Sequence, residues 1–191
     1  MKVIVACEYS GTVRDAFIMK GHEAISVDLE DSESTFGPHI KGDIRDVDLS
    51  QYDLMIAHPP CTFLTVAAQR WHMPSFPKKV EALEFVKYLL NAPVPKIALE
   101  NPISVISTRI KKPNQIIQPY DFGHPETKKT CLWLKGLRPL RPTKNVYDEM
   151  IKLPPNEKHR VLNYWGKNRK DKMRVRSKTY QGIADAMAEQ W

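Results

Sequence analysis

The sequence predicts an α/β fold built on a doubly wound, mostly parallel β-sheet. Short apolar runs alternate with helix-like segments through the first half of the chain, which is the pattern of successive β-α-β units. Polar or charged residues follow several of these runs directly, as they do where strand ends line a ligand site. With 42% hydrophobic and 27% charged residues among 191, the composition is that of an ordinary globular protein.

The predicted elements follow from hydrophobic periodicity. Short apolar runs suit strands buried on both faces, whereas apolar residues that recur every three or four positions suit helices packed on one face. The predicted strands are Val3–Cys7, Ala24–Asp28, Asp53–Ala57, Lys96–Glu100 and Thr130–Leu134. The predicted helices are a segment opened by Ser10-Gly11 and stopped by Gly21, then Lys78–Leu90, and finally Ile183–Trp191. Residues 30–42 and 62–77 are predicted loops, because the first is acidic and polar and the second has no clean period.

Composition also excludes several classes of protein. No apolar run approaches the roughly 20 residues of a membrane span, and no signal-peptide pattern precedes the first strand. Three widely spaced cysteines argue against a disulfide framework and favour a reducing compartment, so we expect a cytoplasmic protein. The histidines and cysteines lack paired-ligand spacing, so no metal site is predicted.

Three features near the first strands favour an adenosine-bearing cofactor. Gly11 opens the first predicted helix and would let the backbone approach a ligand at the helix N-terminus, although a lone glycine there is often only a turn. Asp28 ends the second strand seventeen residues later, a spacing that suits hydrogen bonds to a ribose diol. Asp43 and Ile44 could hold an adenine edge. Each feature alone is weak evidence, but their order along the chain together favours an adenosine-bearing cofactor.

Two further strands end in residues that suit catalysis. Cys61 follows Pro59-Pro60, and a thiol on a rigid turn at a strand end is placed for nucleophilic attack, although a buried structural thiol is the alternative. Glu100 follows three apolar residues, so we expect partial burial to raise its pKa and let it donate a proton. The alternative is a glutamate that only fixes the loop.

The positive charge is concentrated in one segment. The net charge is +7, and residues 158–178 hold nine Lys or Arg residues and one acid, so the rest of the chain is slightly negative. Tyr164 and Trp165 lie in the same segment, and basic residues with interleaved aromatics suit phosphate contact and base stacking. A solvated, partly mobile loop is the alternative. The candidate nucleic-acid contacts are Lys167, Arg169, Lys170, Arg174 and Arg176.

Taken in order, these residues resemble the DNA cytosine-5 methyltransferases, which use S-adenosylmethionine. The matching segments are Glu8-Tyr9-Ser10-Gly11, Asp28, Gly42-Asp43-Ile44, Pro60-Cys61, Glu100-Asn101, Phe122–Thr130 and Thr179–Ala184. The resemblance covers nearly the whole chain and implies a Rossmann-like S-adenosylmethionine-dependent methyltransferase fold over residues 1–191. The resemblance also implies that the protein is an enzyme that transfers a methyl group to C5 of cytosine in DNA.

The resemblance also implies roles for individual residues. Cys61 would be the nucleophile, Glu100 would hold the cytosine edge, and Lys128 would supply positive charge near the thiol. His58 and Arg70 are local alternatives to Lys128, although His58 also suits simple packing. The implied cofactor-binding residues are Glu8, Tyr9, Ser10, Gly11, Asp28, Asp43, Ile44 and Pro59, and the implied substrate-binding residues are Asn101, Arg70 and the basic residues above.

The sequence departs from the family in two ways. Glu126, Lys128 and Thr130 stand where the family has Gln, Arg and Arg, which alters contact with the base. The large target-recognition domain is missing, and a basic insert over residues 143–178 stands in its place. Target recognition would then be slight, unnecessary or supplied by a partner protein. A free cytidine nucleotide or RNA as substrate, and a catalytically idle relative that binds nucleic acid or a nucleotide, are the alternatives.

Overall fold

The computed structural model describes residues 1–65, 76–159 and 169–191. Seven strands within these residues form one sheet. They are β1 (Lys2–Ala6), β2 (Glu23–Asp28), β3 (His39–Lys41), β4 (Leu54–Ala57), β5 (Lys96–Pro102), β6 (Gln115–Ile117) and β7 (Thr130–Lys135). Their spatial order is β3-β2-β1-β4-β5-β7-β6.

The sheet is parallel from β3 to β5 and antiparallel at β7. β1 pairs in parallel with β2 on one side and with β4 on the other, so the strand order reverses direction at β1. β7 runs antiparallel to both β5 and β6. The predicted doubly wound, mostly parallel α/β fold is confirmed. In such sheets a ligand crevice opens at the carboxyl ends of the strands where the order reverses, which here is between β1 and its two neighbours.

Helices cover both faces of the sheet. They are α1 (Thr12–Met19), α2 (Phe76–Leu90), α3 (Ile106–Arg109), α4 (Tyr147–Met150), α5 (Pro155–Lys158), α6 (Arg169–Ser177) and α7 (Gln181–Gln190). Alternate strand residues project to opposite faces, so Val3 and Val5 pack with α1 and α7 whereas Ile4 packs with α2. None of the helices in the described ranges is long and apolar enough to cross a membrane.

The structure corrects several predicted elements. Residues 30–42 are not wholly loop, because His39–Lys41 pairs with β2 from Ser26 to Asp28. The basic segment is helical over Arg169–Ser177, and β6 has no counterpart among the predicted strands. These elements are short or polar, and pairing or packing with distant residues stabilises them, which local periodicity does not report. α2 begins within the predicted loop 62–77, of which residues 66–75 lie outside the described residues.

A fully buried arginine fixes the loop after β2. The Arg14 guanidinium donates to the Ser26 hydroxyl over 3.1 Å and to the carbonyl oxygens of Ser34 and Pro38 over 3.2 and 3.4 Å. A Cβ added at Gly11 would lie 2.5 Å from Arg14 Nη2, so the glycine is required for this packing. Arg14 therefore holds the acidic residues of this loop beside the end of β2.

Candidate active site

A cavity of about 620 Å³ opens at the carboxyl ends of β1 and β2. Its volume is within the range of small-molecule sites, about 300 to 1,000 Å³. Three predicted cofactor residues, Asp28, Asp43 and Ile44, line it. Most of the remaining wall is apolar, and it includes Val27, Leu29, Phe63, Ala82 and Phe85. The residues that follow β2 and β3 thus share one concave surface.

The two aspartates of the cavity differ in their surroundings. Asp28 accepts the Glu30 N–H at Oδ1 over 2.9 Å, and the backbone N–H of Leu29 also bonds to its carboxylate. Burial raises the pKa of Asp28. Asp43 is paired with Arg45, which donates Nε–H and its backbone N–H over 2.9 Å each, and this pairing lowers the pKa of Asp43. Asp28 is therefore held by backbone N–H groups, whereas Asp43 is held in an ion pair.

The predicted cofactor loop Glu8–Gly11 lies beside this cavity, but none of its four residues is among the described residues that line it. Glu8 is buried and accepts the backbone N–H groups of Val13 and Arg14 over 2.7 and 3.2 Å, so it caps α1. Ser10 donates to the same carboxylate over 3.2 Å. The loop thus shapes the helix N-terminus at the edge of the cavity.

Cys7 lines the cavity and was not among the predicted site residues. It is the non-glycine residue of the described chain with a positive φ, at 59°, a left-handed conformation that costs a side chain energy. Burial and the charges of Asp28 and Asp43 raise the pKa of its thiol to about 12. Cys7 therefore lines the cavity as a thiol whose neutral form is favoured at neutral pH. Its position at the end of β1 was the available signal, because parallel strand ends converge.

Glu100 lies at the centre of a second cluster, where β4 and β5 end side by side. His58 Nδ1 lies 2.9 Å from Glu100 Oε2, and Thr179 donates its hydroxyl to the same oxygen over 3.1 Å. The expected rise in the pKa of Glu100 is wrong. Burial acts to raise this pKa, but the hydrogen bond and charge of His58 outweigh it and lower the pKa, so Glu100 is ionised at neutral pH.

His58 pairs with Glu100 in this cluster, whereas the sequence offered it as an alternative to Lys128 near the thiol or as a packing residue. It follows β4 directly, just as Glu100 lies near the end of the neighbouring β5. Adjacent parallel strands place such residues together, so the pairing was available from the predicted topology. Thr179 had no such signal, because it comes from the far end of the chain.

Cys61 lies next to this cluster on the turn after β4. Its carbonyl accepts the N–H groups of Leu64 and Thr65 over 3.0 Å each, which fixes the thiol at the start of a helical turn. Burial raises the pKa of Cys61, and the nearby Lys128 charge opposes that rise. The charge of Glu100 also acts on this thiol. The three predicted catalytic residues are therefore within electrostatic reach of one another.

The ammonium group of Lys128 is held by the carboxyl end of α6. It donates to the carbonyl oxygens of Arg176 over 2.7 Å and Lys178 over 3.3 Å, and lies 5.6 Å from the centre of the Tyr180 ring. Such carbonyls carry the negative end of the helix dipole. Burial nevertheless lowers the pKa of Lys128.

In the described ranges, no group of three or more His, Cys, Asp or Glu side chains is arranged to hold a metal ion.

Asn101 connects the two halves of the site. Its Nδ2 donates to the Pro59 carbonyl over 2.9 Å, and the side chain is buried. Asn101 therefore fixes the turn that carries Cys61. Pro60, rather than the predicted Pro59, lines the cavity, and Cys61 is the next residue along the chain. The turn after β4 thus contributes Pro60 to the cavity wall and carries the Cys61 thiol at the next position.

The basic segment packs onto the acidic loop after β2. Arg174 forms ion pairs with Glu30 and Glu33 at 3.0 and 2.5 Å, and Lys178 pairs with Glu33. Arg174 also lies 4.7 Å from the centre of the Tyr9 ring, whose hydroxyl donates to the Arg174 carbonyl over 2.6 Å. Arg174, predicted to bind nucleic acid, is therefore paired with Glu30 and Glu33. Tyr9, predicted to bind the cofactor, contacts α6 instead.

The structure describes only some of the other basic residues that were predicted to contact nucleic acid. Arg176 contributes its carbonyl to Lys128, and its Nε is buried with no hydrogen bond to any described residue. Arg169 and Lys170 belong to the first turn of α6. Arg70 and Lys167 lie outside the described residues.

No protein-family model matches the chain, and no curated protein matches it. Solved structures do. An E. coli prophage protein described as a DNA modification methyltransferase is similar over 81% of this chain and 56% of its own, with a TM-score of 0.51 and 14% sequence identity. The fold is that of the Rossmann-like methyltransferases.

A triple mutant of Spodoptera frugiperda DNMT2 is also similar, at a TM-score of 0.41 and 17% identity over 76% of this chain and 53% of that one. The chain therefore spans little more than half the length of the structures it matches. At these identities the likeness concerns the fold.

Proposed function

We propose that the chain is an S-adenosylmethionine-dependent methyltransferase that acts on C5 of cytosine in DNA, with Cys61 as nucleophile. The observation that carries the proposal is the convergence of Cys61, Glu100 and Lys128 beside a cavity that contains Asp28. A thiol, a carboxylate and an ammonium group are the groups this chemistry requires, and they come from separate parts of the chain.

The cavity fits an adenosine-bearing cofactor. Asp28 places a carboxylate in the cavity at the end of β2, which suits a ribose diol, and the apolar wall with Ile44 and Phe85 suits a purine ring. Asp43 would approach the adenine edge while paired with Arg45. When bound, S-adenosylmethionine supplies an electrophilic methyl group.

The chain's own groups would activate the base. Cytosine C5 is a poor nucleophile, so the Cys61 thiolate would add to C6 and push electron density towards C5. Glu100, as a carboxylate, would accept a hydrogen bond from the exocyclic amine and hold the ring in place. The positive charge of Lys128 stabilises the thiolate. After methylation, loss of the C5 proton and departure of Cys61 restore the aromatic ring.

Three observations support DNA as the substrate. The excess positive charge lies in the 158–178 segment, α6 of that segment lies against the site, and a protein of similar fold is described as a DNA modification methyltransferase. A duplex cytosine would have to leave the stack, at a cost of about a few kcal/mol. The 43 residues between β7 and Thr179 are too few for the large target-recognition domain of the family that the sequence resembles, so we propose that a partner protein contributes to target choice.

Labelled cofactor and DNA test this proposal. The wild-type protein should transfer label to cytosine, and Cys61→Ser should abolish transfer. Cys131→Ala is the matched control, because Cys131 is a thiol buried in the hydrophobic core away from the cavity wall. Transfer that survives Cys61→Ser would contradict the assigned nucleophile.

A fluorinated substrate tests the covalent step itself. With S-adenosylmethionine present, an oligonucleotide with 5-fluorocytosine should form a stable adduct with Cys61, because after methyl transfer the fluorine at C5 cannot leave as the proton does. The adduct should be absent in Cys61→Ser and present in Cys131→Ala. Adduct formation at any other residue would exclude the proposed mechanism.

One observation favours a smaller substrate as the second candidate. Arg174 and Lys178 are already paired with Glu30 and Glu33, which leaves fewer free cations for phosphates. A free cytidine nucleotide needs little phosphate contact. Competition between cytidine monophosphate and an oligonucleotide decides between them, since binding of the oligonucleotide should weaken steeply with salt and binding of the monomer should not.

A further inference from the structure

Resting on the proposed function, we infer that His58 is a positioning residue that supplies, through Glu100, the proton that neutralises N3 of cytosine during thiolate addition. His58 does not need to touch the base, because it lies 2.9 Å from the carboxylate that would.

The geometry leaves His58 one route for its proton. The side chain is only 12% exposed, Nδ1 faces Glu100 Oε2, and Nε2 is buried with no hydrogen bond to any described residue. Proton exchange at Nδ1 therefore passes through Glu100.

The charges around His58 favour its protonated form. Glu100 on β5 and Glu8 after β1 act to keep the proton on the ring, whereas burial and Lys128, which precedes β7, act against it. The two carboxylates prevail and raise the pKa of His58 above its ordinary 6.5. The same pairing keeps Glu100 ionised. The resting site is thus an imidazolium beside a carboxylate.

This resting state poses a chemical requirement. A carboxylate accepts a hydrogen bond from the exocyclic amine of cytosine, but it carries no proton for N3. Addition of the thiolate to C6 moves the ring electrons so that negative charge develops on N3, which must be neutralised. The nearest proton of suitable acidity is on His58 Nδ1, because Thr179 is an alcohol and Lys128 is held by two carbonyl oxygens.

The proposed transfer balances. The sulfur of Cys61 forms a bond to C6, and the electron pair displaced from the ring reaches N3. The Glu100 carboxylate takes the Nδ1 proton of His58 and passes a proton to N3, so Glu100 ends unchanged and His58 becomes neutral. After methyl transfer, C5 loses its proton to water, and the electron pair of that bond forms the C5–C6 double bond and expels the Cys61 thiolate. The N3 proton then returns through Glu100 to His58. Neither an oxidant nor a further reactant is needed.

Histidine NMR tests the charge state without any substrate. In wild-type protein labelled on histidine, the His58 ring should titrate above pH 6.5, the ordinary value, and Glu100→Gln should lower that midpoint. A midpoint at or below the ordinary value would overturn the inference, and so would a midpoint that Glu100→Gln leaves unchanged.

Adduct formation with the 5-fluorocytosine oligonucleotide tests the proton transfer. His58→Asn keeps an N–H donor where Nδ1 stood but cannot supply a proton, so the hydrogen bond to Glu100 survives. The adduct should form roughly 100-fold more slowly in His58→Asn than in wild type. In wild type the rate should fall between about pH 6 and 9 as His58 loses its proton, and in His58→Asn this fall should be absent.

A rate within about twofold of wild type at all pH values would assign His58 a structural role and overturn the inference. If wild-type protein forms no adduct, the proposed function fails and the inference fails with it. If wild type forms the adduct and the His58 midpoint is not raised, only the inference fails.

Discussion

Asn101 donates a hydrogen bond from Nδ2 to the carbonyl oxygen of Pro59 over 2.9 Å. This bond joins β5 to the turn after β4, and so fixes Cys61 relative to Glu100. Proline lacks a backbone N–H group, so the turn has few donors of its own to hold it. Asn101, which the family resemblance assigned to the substrate, acts in this structure on the protein's own backbone.

Replacing Asn101 with Asp should damage the site more than the fold. Aspartate has the same shape but cannot donate to the Pro59 carbonyl, so the turn loses its anchor. We expect the free energy of unfolding, measured by urea denaturation, to fall by about 1–3 kcal/mol. The rate of adduct formation with the 5-fluorocytosine oligonucleotide should fall by a larger fraction than the free energy of unfolding does. Equal activity in the variant and wild type would show that the turn holds its position unaided.

Replacing Asp28 with Asn should weaken cofactor binding. The amide keeps the size of the side chain but removes the charge that would hold a ribose diol, so we expect affinity to fall roughly tenfold or more by calorimetry, about 1.4 kcal/mol. Asp31→Asn is the matched control, because Asp31 is exposed and pairs with Lys41. An equal effect in the two variants would contradict the assigned ribose contact.

Replacing Lys128 with Met should raise the pKa of the Cys61 thiol, since the lysine charge lowers it. The ultraviolet absorbance of the thiolate measures this, and Cys7, with a pKa of about 12, does not interfere over most of the range. Lys129→Met is the control, because Lys129 is the exposed neighbour. A titration of Cys61 that Lys128→Met leaves in place would remove Lys128 from its proposed role.

The His58–Glu100 pair should stabilise the protein over a limited pH range. The raised pKa of His58 gives stability that is full below 6.5 and is lost as pH rises through the folded value. The lowered pKa of Glu100 gives stability that is present above 4.5 and is lost as pH falls through its folded value. The difference in unfolding free energy between wild type and His58→Asn should therefore be larger near about pH 6 than near about pH 9.

Charge reversal at Arg174 should loosen α6 from the acidic loop. Arg174→Glu removes two ion pairs and the contact with Tyr9, each worth about 0–1 kcal/mol. We expect a lower Tm and faster proteolysis within α6. Adding Glu33→Arg should restore part of the loss, which a double-mutant cycle would detect as coupling. Additive effects of the two substitutions would show that the ion pair contributes nothing measurable.

The sequence was sufficient for the elements that carry a strong local signal. β1, β4, β5 and β7 are buried apolar runs, and α7 has a continuous apolar face, so hydrophobic periodicity located each to within two residues at either end. Residues at strand ends follow from the same reasoning, because parallel strands bring their carboxyl ends to one edge. Cys61, Glu100 and Asp28 were identified on that basis together with the resemblance.

Only the tertiary structure decided the contacts between residues far apart in the chain. Thr179 reaches Glu100, Arg176 and Lys178 hold Lys128, and Arg174 meets Glu33, all across separations that no local pattern encodes. The pKa of Glu100 shows the consequence most clearly. Burial alone predicts a rise, but the neighbouring His58 reverses it, since the interaction of two close charges in a poorly solvated site can exceed the cost of burying them.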